Sequence, residues 1–131
     1  IRGKKIAGIL SGLDMPKVVV GIGINVAMRP EDLPVETATA LNLEGIDVDF
    51  DDFTIDILTA MGQRLGQWLE GDPQLLEDYR RVCSTIGQEV RIELHNGVVT
   101  GTVDGVNDAG EVIIDGTAYA VGDVHHLRPR A

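Results

Sequence analysis

One cysteine, Cys83, stands among 131 residues, so no disulfide framework is available and an oxidising compartment is not what this chain is built for. Apolar runs approaching the roughly 20 residues of a membrane span are absent, and no signal peptide is recognisable, so a cytoplasmic location with no membrane role is expected. Positive charge is scarce: 11 Lys and Arg face 21 Asp and Glu, a net charge of -10. That balance argues against nucleic acid as a partner, because neutralising phosphates drives such binding. At 44% hydrophobic and 24% charged, the composition is that of a folded chain.

The few cations are unevenly placed. Residues 1–30 carry Arg2, Lys4, Lys5, Lys17 and Arg29 against Asp14 alone, a local charge of +4. The remaining residues carry six basic and twenty acidic side chains, or -14. The chain opens on Ile1 rather than Met and is almost at once strand-like, which suggests a piece cut from a longer polypeptide.

Lys5–Leu10 and Lys17–Asn25 read as two strands, the second a Val-Val-Val-Gly-Ile-Gly-Ile run expected to be buried on both faces. "SGLDMP" between them suits a turn, so an antiparallel hairpin is predicted. "RPEDLPVET" is a loop, and a short helix is expected from Glu36 to about Leu43, ended by Gly45. Phe53, Ile57, Met61, Leu65 and Trp68 then recur at helical spacing, with Asp49, Asp51 and Asp52 at the first turn and Gly71 at the end. Asp72-Pro73 opens a second helix along Leu75, Leu76, Tyr79, Val82 and Cys83.

Beyond Gly87 the period changes to two. "EVRIEL", "VVTGTVDGV", "EVIID", "TAYAV" and "VHHL" are short strands parted by "HNG", "NDAG", "DG" and "GD". The expected fold is α+β: a partial mixed or antiparallel sheet with helices over residues 1–86, followed by a small SH3-like β-barrel over 87–131.

Several residues could carry chemistry. Gly21-Ile22-Gly23-Ile24-Asn25 lacks the third glycine of a dinucleotide loop, so its glycines mark close approach of a ligand or of another backbone. Lys4 and Lys5 point to opposite sides of a strand, and periodicity alone leaves open which one faces inward. His125 and His126 on one strand diverge and make a poor metal pair. The acids from Asp47 to Asp56 lack the glycine and terminal glutamate of a calcium loop, and Cys83 and Trp68 suit packing, so no metal site is expected.

"KKIAGIL", "VVVGIGINV", the proline-containing loop, two helices and five terminal strands together resemble the C-terminal half of a bacterial biotin protein ligase. The Lys-x-x-Gly-Ile-Leu and Gly-x-Gly-x-Asn runs carry the resemblance, which covers essentially the whole chain. It implies an enzyme that joins biotin and ATP into biotinyl-5'-AMP and transfers biotin to a lysine of a biotin carboxyl carrier protein, with Mg2+ accompanying ATP. By the same resemblance, Lys5 is the catalytic lysine and touches the biotin carboxylate and the adenylate phosphate. Gly8, Gly21 and Gly23 line the biotin pocket, Asn25 and Arg29 lie by the adenylate, and the loop from Arg29 to about Thr39 closes over adenine.

The Gly/Arg-rich phosphate loop and the Lys-Trp-Pro-Asn-Asp run of such ligases do not occur in this sequence, so the 131-residue piece by itself is expected to be inactive. Uncovered sheet edges would favour self-association, leaving a homo-oligomer possible. A reading of another class is a non-catalytic module whose small barrel binds a peptide or a partner subunit.

Overall fold

The computed structural model describes residues 1–120 and the backbone of 123–126. The chain divides into two compact units, Ile1–Thr59 and Ala60–Ala131.

The first unit is built on a hairpin. Strands β1 (Ala7–Asp14) and β2 (Lys17–Ile24) pair antiparallel from Ala7↔Ile24 to Asp14↔Lys17. The predicted turn "SGLDMP" is therefore mostly strand, and Met15 and Pro16 alone connect the two. Val18, Val19 and Val20 explain the extension: stiff β-branched residues favour extended backbone, and they pair with Leu13, Gly12 and Ser11.

Burial of β2 on both faces is not what the structure holds. Val18, Val19 and Val20 are exposed, because a two-stranded hairpin supplies no layer to cover either face.

The helix expected from Glu36 to Leu43 is also corrected. Ala38 instead forms a parallel bridge with Lys5, through Lys5 N–H donating to Thr37 O (2.9 Å) and Thr39 N–H donating to Lys5 O (2.9 Å). The β-branched Thr37 and Thr39 suit this extended path better than a helix. Ala38, Thr39, Ala40 and Leu41 are buried, and a 3-10 turn at Asn42–Glu44 ends at Gly45 with φ 75°, a left-handed conformation that glycine adopts freely.

Helix α1 (Phe50–Glu70) starts where the acids predict. One Asp49 carboxylate oxygen accepts the amides of Asp51 and Asp52, each at 3.0 Å. Its end is a Schellman arrangement: Gly71 (φ 67°) donates to Trp68 O and Asp72 N–H donates to Gln67 O.

In the second unit, Asp72 accepts the Gln74 amide at 2.9 Å and starts helix α2 (Gln74–Val82), with Pro73 already helical at φ -63°. Arg64 reaches Asp78 across the helical turn at 2.5 Å, and Arg81 pairs with the same carboxylate, which is held down at about pKa 2 chiefly by the Arg64 hydrogen bond.

Five strands follow: β3 (Glu89–Leu94), β4 (Gly97–Val106), β5 (Val112–Ile114), β6 (Thr117–Tyr119) and β7 (Asp123–His126), in the order β6-β5-β4-β3-β7, all antiparallel. A bulge between Val103 and Gly105 bends β4. Val90, Ile92, Val103 and Ile114 form the buried core, flanked by Ile86, Leu94, Val99, Val112 and Tyr119.

The α+β class and the five-strand count agree with the sequence. Among the described residues no ladder joins the edge strands β6 and β7. Val121 and Leu127, expected in the last two strands, and the side chains of His125 and His126 lie outside the described residues.

Arg80 ties α2 to this sheet, donating to Val106 O at 2.8 Å and to Asp108 at 2.6 Å.

Gly101 tests the packing of the sheet. A Cβ there would overlap the Cγ2 methyl of buried Ile114 and stand 3.2 Å from an Asp115 carboxylate oxygen. Gly101→Ala should lower stability by about 1–3 kcal/mol, read as a fall in the chemical-denaturation midpoint at unchanged slope.

Candidate functional site

Side-chain alternation decides what the hairpin offers to a ligand. Gly8 faces Gly23, Leu10 faces Gly21 and Gly12 faces Val19, so these six residues share one face. Ala7, Ile9, Ser11 and Leu13, with Ile24, Ile22, Val20 and Val18, occupy the other. One face is thus continuously apolar apart from Ser11, and the other is largely bare backbone walled by Leu10 and Val19.

The three glycines singled out in the sequence fall together on the bare face. Nothing lies within 4 Å of where a Cβ on Gly23 would stand, and at Gly21 the neighbour is Leu10 O at 3.7 Å. Gly12 belongs to the same face and was not singled out, although strand parity was enough to find it.

Lys5 lies at the mouth of this face. Its Cε and Nζ are each 3.8 Å from the position a Gly8 Cβ would take, so the ammonium hangs over the glycine side of the sheet. No ion pair among the described residues involves Lys4 or Lys5. A compact cation beside open backbone is suited to a carboxylate or phosphate oxygen.

Asn25 sits one residue past the end of β2. Its backbone amide donates to Ile6 O (2.8 Å), its O accepts from Leu41 N–H (3.0 Å) and its Nδ2 donates to Thr39 O (2.9 Å). This side chain latches the hairpin to the buried Ala38–Leu41 segment.

Arg29 is engaged locally. Nε and Nη2 grip both Asp32 oxygens at 2.7 and 3.0 Å, and Nη1 is 3.6 Å from Glu31. An anion reaching Arg29 must compete with that bidentate pair. The structure therefore brings Lys5, Gly8, Gly21 and Gly23 together on one face, and shows Asn25 and Arg29 each already partnered.

Thr39 and Glu44 were not singled out as site residues. Thr39 donates its hydroxyl to Glu44 at 2.7 Å, and Arg2 stands 3.6 Å from the other carboxylate oxygen. The Thr39 hydrogen bond, with Arg2 and Lys4 adding to it, holds the Glu44 carboxyl below its ordinary range against the opposing effect of burial. The alternating Thr37-Ala38-Thr39-Ala40 was the available sequence signal for an extended segment.

With this geometry in view, the relatives are informative. Residues 85–119 match the family model of the biotin protein ligase C terminal domain. A biotin--[acetyl-CoA-carboxylase] ligase of Mycobacterium tuberculosis is 36% identical over 97% of this chain and 50% of its own length. A bifunctional ligase/repressor BirA of Bacillus subtilis is 29% identical over 88% of this chain and 38% of its own.

A solved biotin protein ligase of Aquifex aeolicus in complex with biotin and ATP superimposes with TM-score 0.79 at 26% identity, covering 97% of this chain and 57% of that one. Its apo structure shares the fold at TM-score 0.81. The chain spans half or less of the length of the curated relatives it matches.

The fold class is therefore that of the C-terminal part of a biotin ligase. More particularly, the chain is similar to the biotin protein ligases, and residues 85–119 match the model of their C-terminal domain. Among the described residues no helix is long and apolar enough to cross a membrane.

The Thr39 bond has a direct readout. A depressed carboxyl stabilises the fold at pH values above about 4.5, and the contribution is lost as pH falls through the folded pKa. In Thr39→Val the Glu44 midpoint should rise, followed by carboxyl NMR titration; an unmoved midpoint would show that the hydroxyl is not what holds it down.

Proposed function

We propose that this chain is the C-terminal half of a biotin protein ligase, which activates biotin with ATP and transfers it to a lysine of a biotin carboxyl carrier protein. The carrying observation is the placement of Lys5 Nζ over a face shared by Gly8, Gly21 and Gly23, in a chain 36% identical along 97% of its length to a biotin ligase.

In the first step a biotin carboxylate oxygen attacks the α-phosphorus of ATP. The new P–O bond forms as the α–β bridging bond breaks and pyrophosphate leaves with the electron pair. Two anions must meet, and the Lys5 ammonium offsets their repulsion and stabilises charge developing on the phosphoryl oxygens. The bare glycine backbone lets the biotin ring approach, with Leu10 and Val19 as apolar walls. In the second step the acceptor amine attacks the acyl carbon of biotinyl-5'-AMP, and AMP departs.

Asn25 and Arg29 are proposed to lie beside the adenylate, with Arg29 exchanging part of its hold on Asp32 for ligand contact. Mg2+ is proposed to accompany ATP.

The boundary near residue 86 is retained in this proposal, supported by the family match beginning at residue 85. A cytoplasmic setting is proposed from the single cysteine, Cys83.

Lys5→Ala in the complete ligase should lower biotin-dependent pyrophosphate exchange by about 100-fold or more, the scale of losing one preorganised charge contact, with thermal stability nearly unchanged. Exchange at the parent rate would remove Lys5 from the chemistry. The 131-residue chain on its own should show no exchange, and detecting it would mean that the phosphate-binding parts are already contained here.

A further inference from the structure

Lys5 precedes β1, so the hairpin ladder does not hold its backbone. Its N–H and C=O are instead both taken by the neighbouring segment, at Thr37 O and Thr39 N–H. Thr39 is buried at 2% exposure, and each of its hydrogen-bonding groups meets a different element. The amide goes to Lys5 O at 2.9 Å, the carbonyl takes the Asn25 Nδ2 at 2.9 Å, and the hydroxyl goes to Glu44 at 2.7 Å. Glu44 in turn faces Arg2, three residues before Lys5, at 3.6 Å.

We propose that Thr39, anchored by Glu44, is a positioning residue that sets Lys5 and Asn25 relative to each other across the glycine face. This rests on the ligase reading of Lys5 given above. The physical reason is that Thr39 is bonded to both flanking site residues through its own peptide groups, so any rotation of Thr39 moves the two together. The hydroxyl bond to a carboxylate is the contact that resists this rotation, and a charge-assisted bond is the stronger kind. The anchoring carboxylate is largely enclosed, so it has little water to turn to if the hydroxyl is removed.

The discriminating experiment is a double-mutant cycle on the complete ligase, read as biotin affinity by calorimetry. Thr39→Val keeps the branched shape and deletes the hydroxyl, and should weaken biotin by about tenfold, a modest misplacement of a charge contact. In a Lys5→Ala background the same change should weaken biotin less than twofold, because the contact it acts through is already gone. Thr39→Ser should restore most of the affinity.

Equal losses in both backgrounds would show that Thr39 supports the fold without steering Lys5, and no loss in either would show that the anchor is dispensable; both overturn the proposal. Should Thr39→Val not fold, Glu44→Leu removes the same bond from its other end and must show the same dependence on Lys5. Failure of the ligase reading looks different: Lys5→Ala alone would leave biotin affinity at the parent value.

Discussion

The constraint on which the first unit depends is the period of two in a β-strand. Once Gly8 is opposite Gly23, every other pairing is fixed, and the glycines of two separate sequence runs are forced onto one face with Leu10 and Val19. A slip of one residue would set Gly8 opposite Ile22 or Ile24 and bring isoleucine side chains onto the glycine face, closing the bare surface. The valine run favours the extended backbone on both faces: Val18 and Val20 lie with Leu13 and Ser11, while Val19 lies opposite Gly12. The same period organises the second unit, where Val90 and Ile92 on β3 project into the core while Glu89 and Glu93 remain exposed.

Where the two periods of the chain meet, the structure relies on capping rather than on burial. Helix α1 is apolar along one stripe, yet Leu58, Leu65 and Trp68 are exposed, so packing in this chain is not what defines its length. Asp49 at one end and Gly71 at the other do that, through two amides accepted by one carboxylate and a left-handed residue that satisfies the last carbonyls. Helix α2 repeats the device with Asp72, then gains a tertiary tie through Arg80 to Val106 and Asp108.

This division explains what could be read from the residues and what could not. Caps and turn glycines are local, so both long helices and all five terminal strands were legible. The extended path of Thr37–Thr39 is not legible locally, because Glu, Ala and Leu in the same window favour a helix, while the partner that makes it extended is Lys5, more than thirty residues away. Exposure of the hairpin is hidden for a similar reason: an apolar run reports an affinity for a covering layer and does not supply one. At the site, strand parity placed the glycines and resemblance placed Lys5, but the engagement of Asn25 with Thr39 and of Arg29 with Asp32 depends on contacts that spacing does not encode.

Charge is where structure alters the sequence argument most. Five cations among the first thirty residues suggest a broad positive field over an acidic chain. Arg29 is taken up by Asp32 and Glu31, Arg2 stands against Glu44, and Lys17 faces Asp14 across the hairpin end. Lys4 and Lys5 remain, and no ion pair among the described residues involves either. Exposed charges beyond roughly 10 Å are largely screened at ordinary ionic strength, so the groups nearest an ammonium matter more than the net charge of the chain. On the proposed reading, an anion would meet one lysine over open backbone, held at its own N–H and C=O by Thr37 and Thr39.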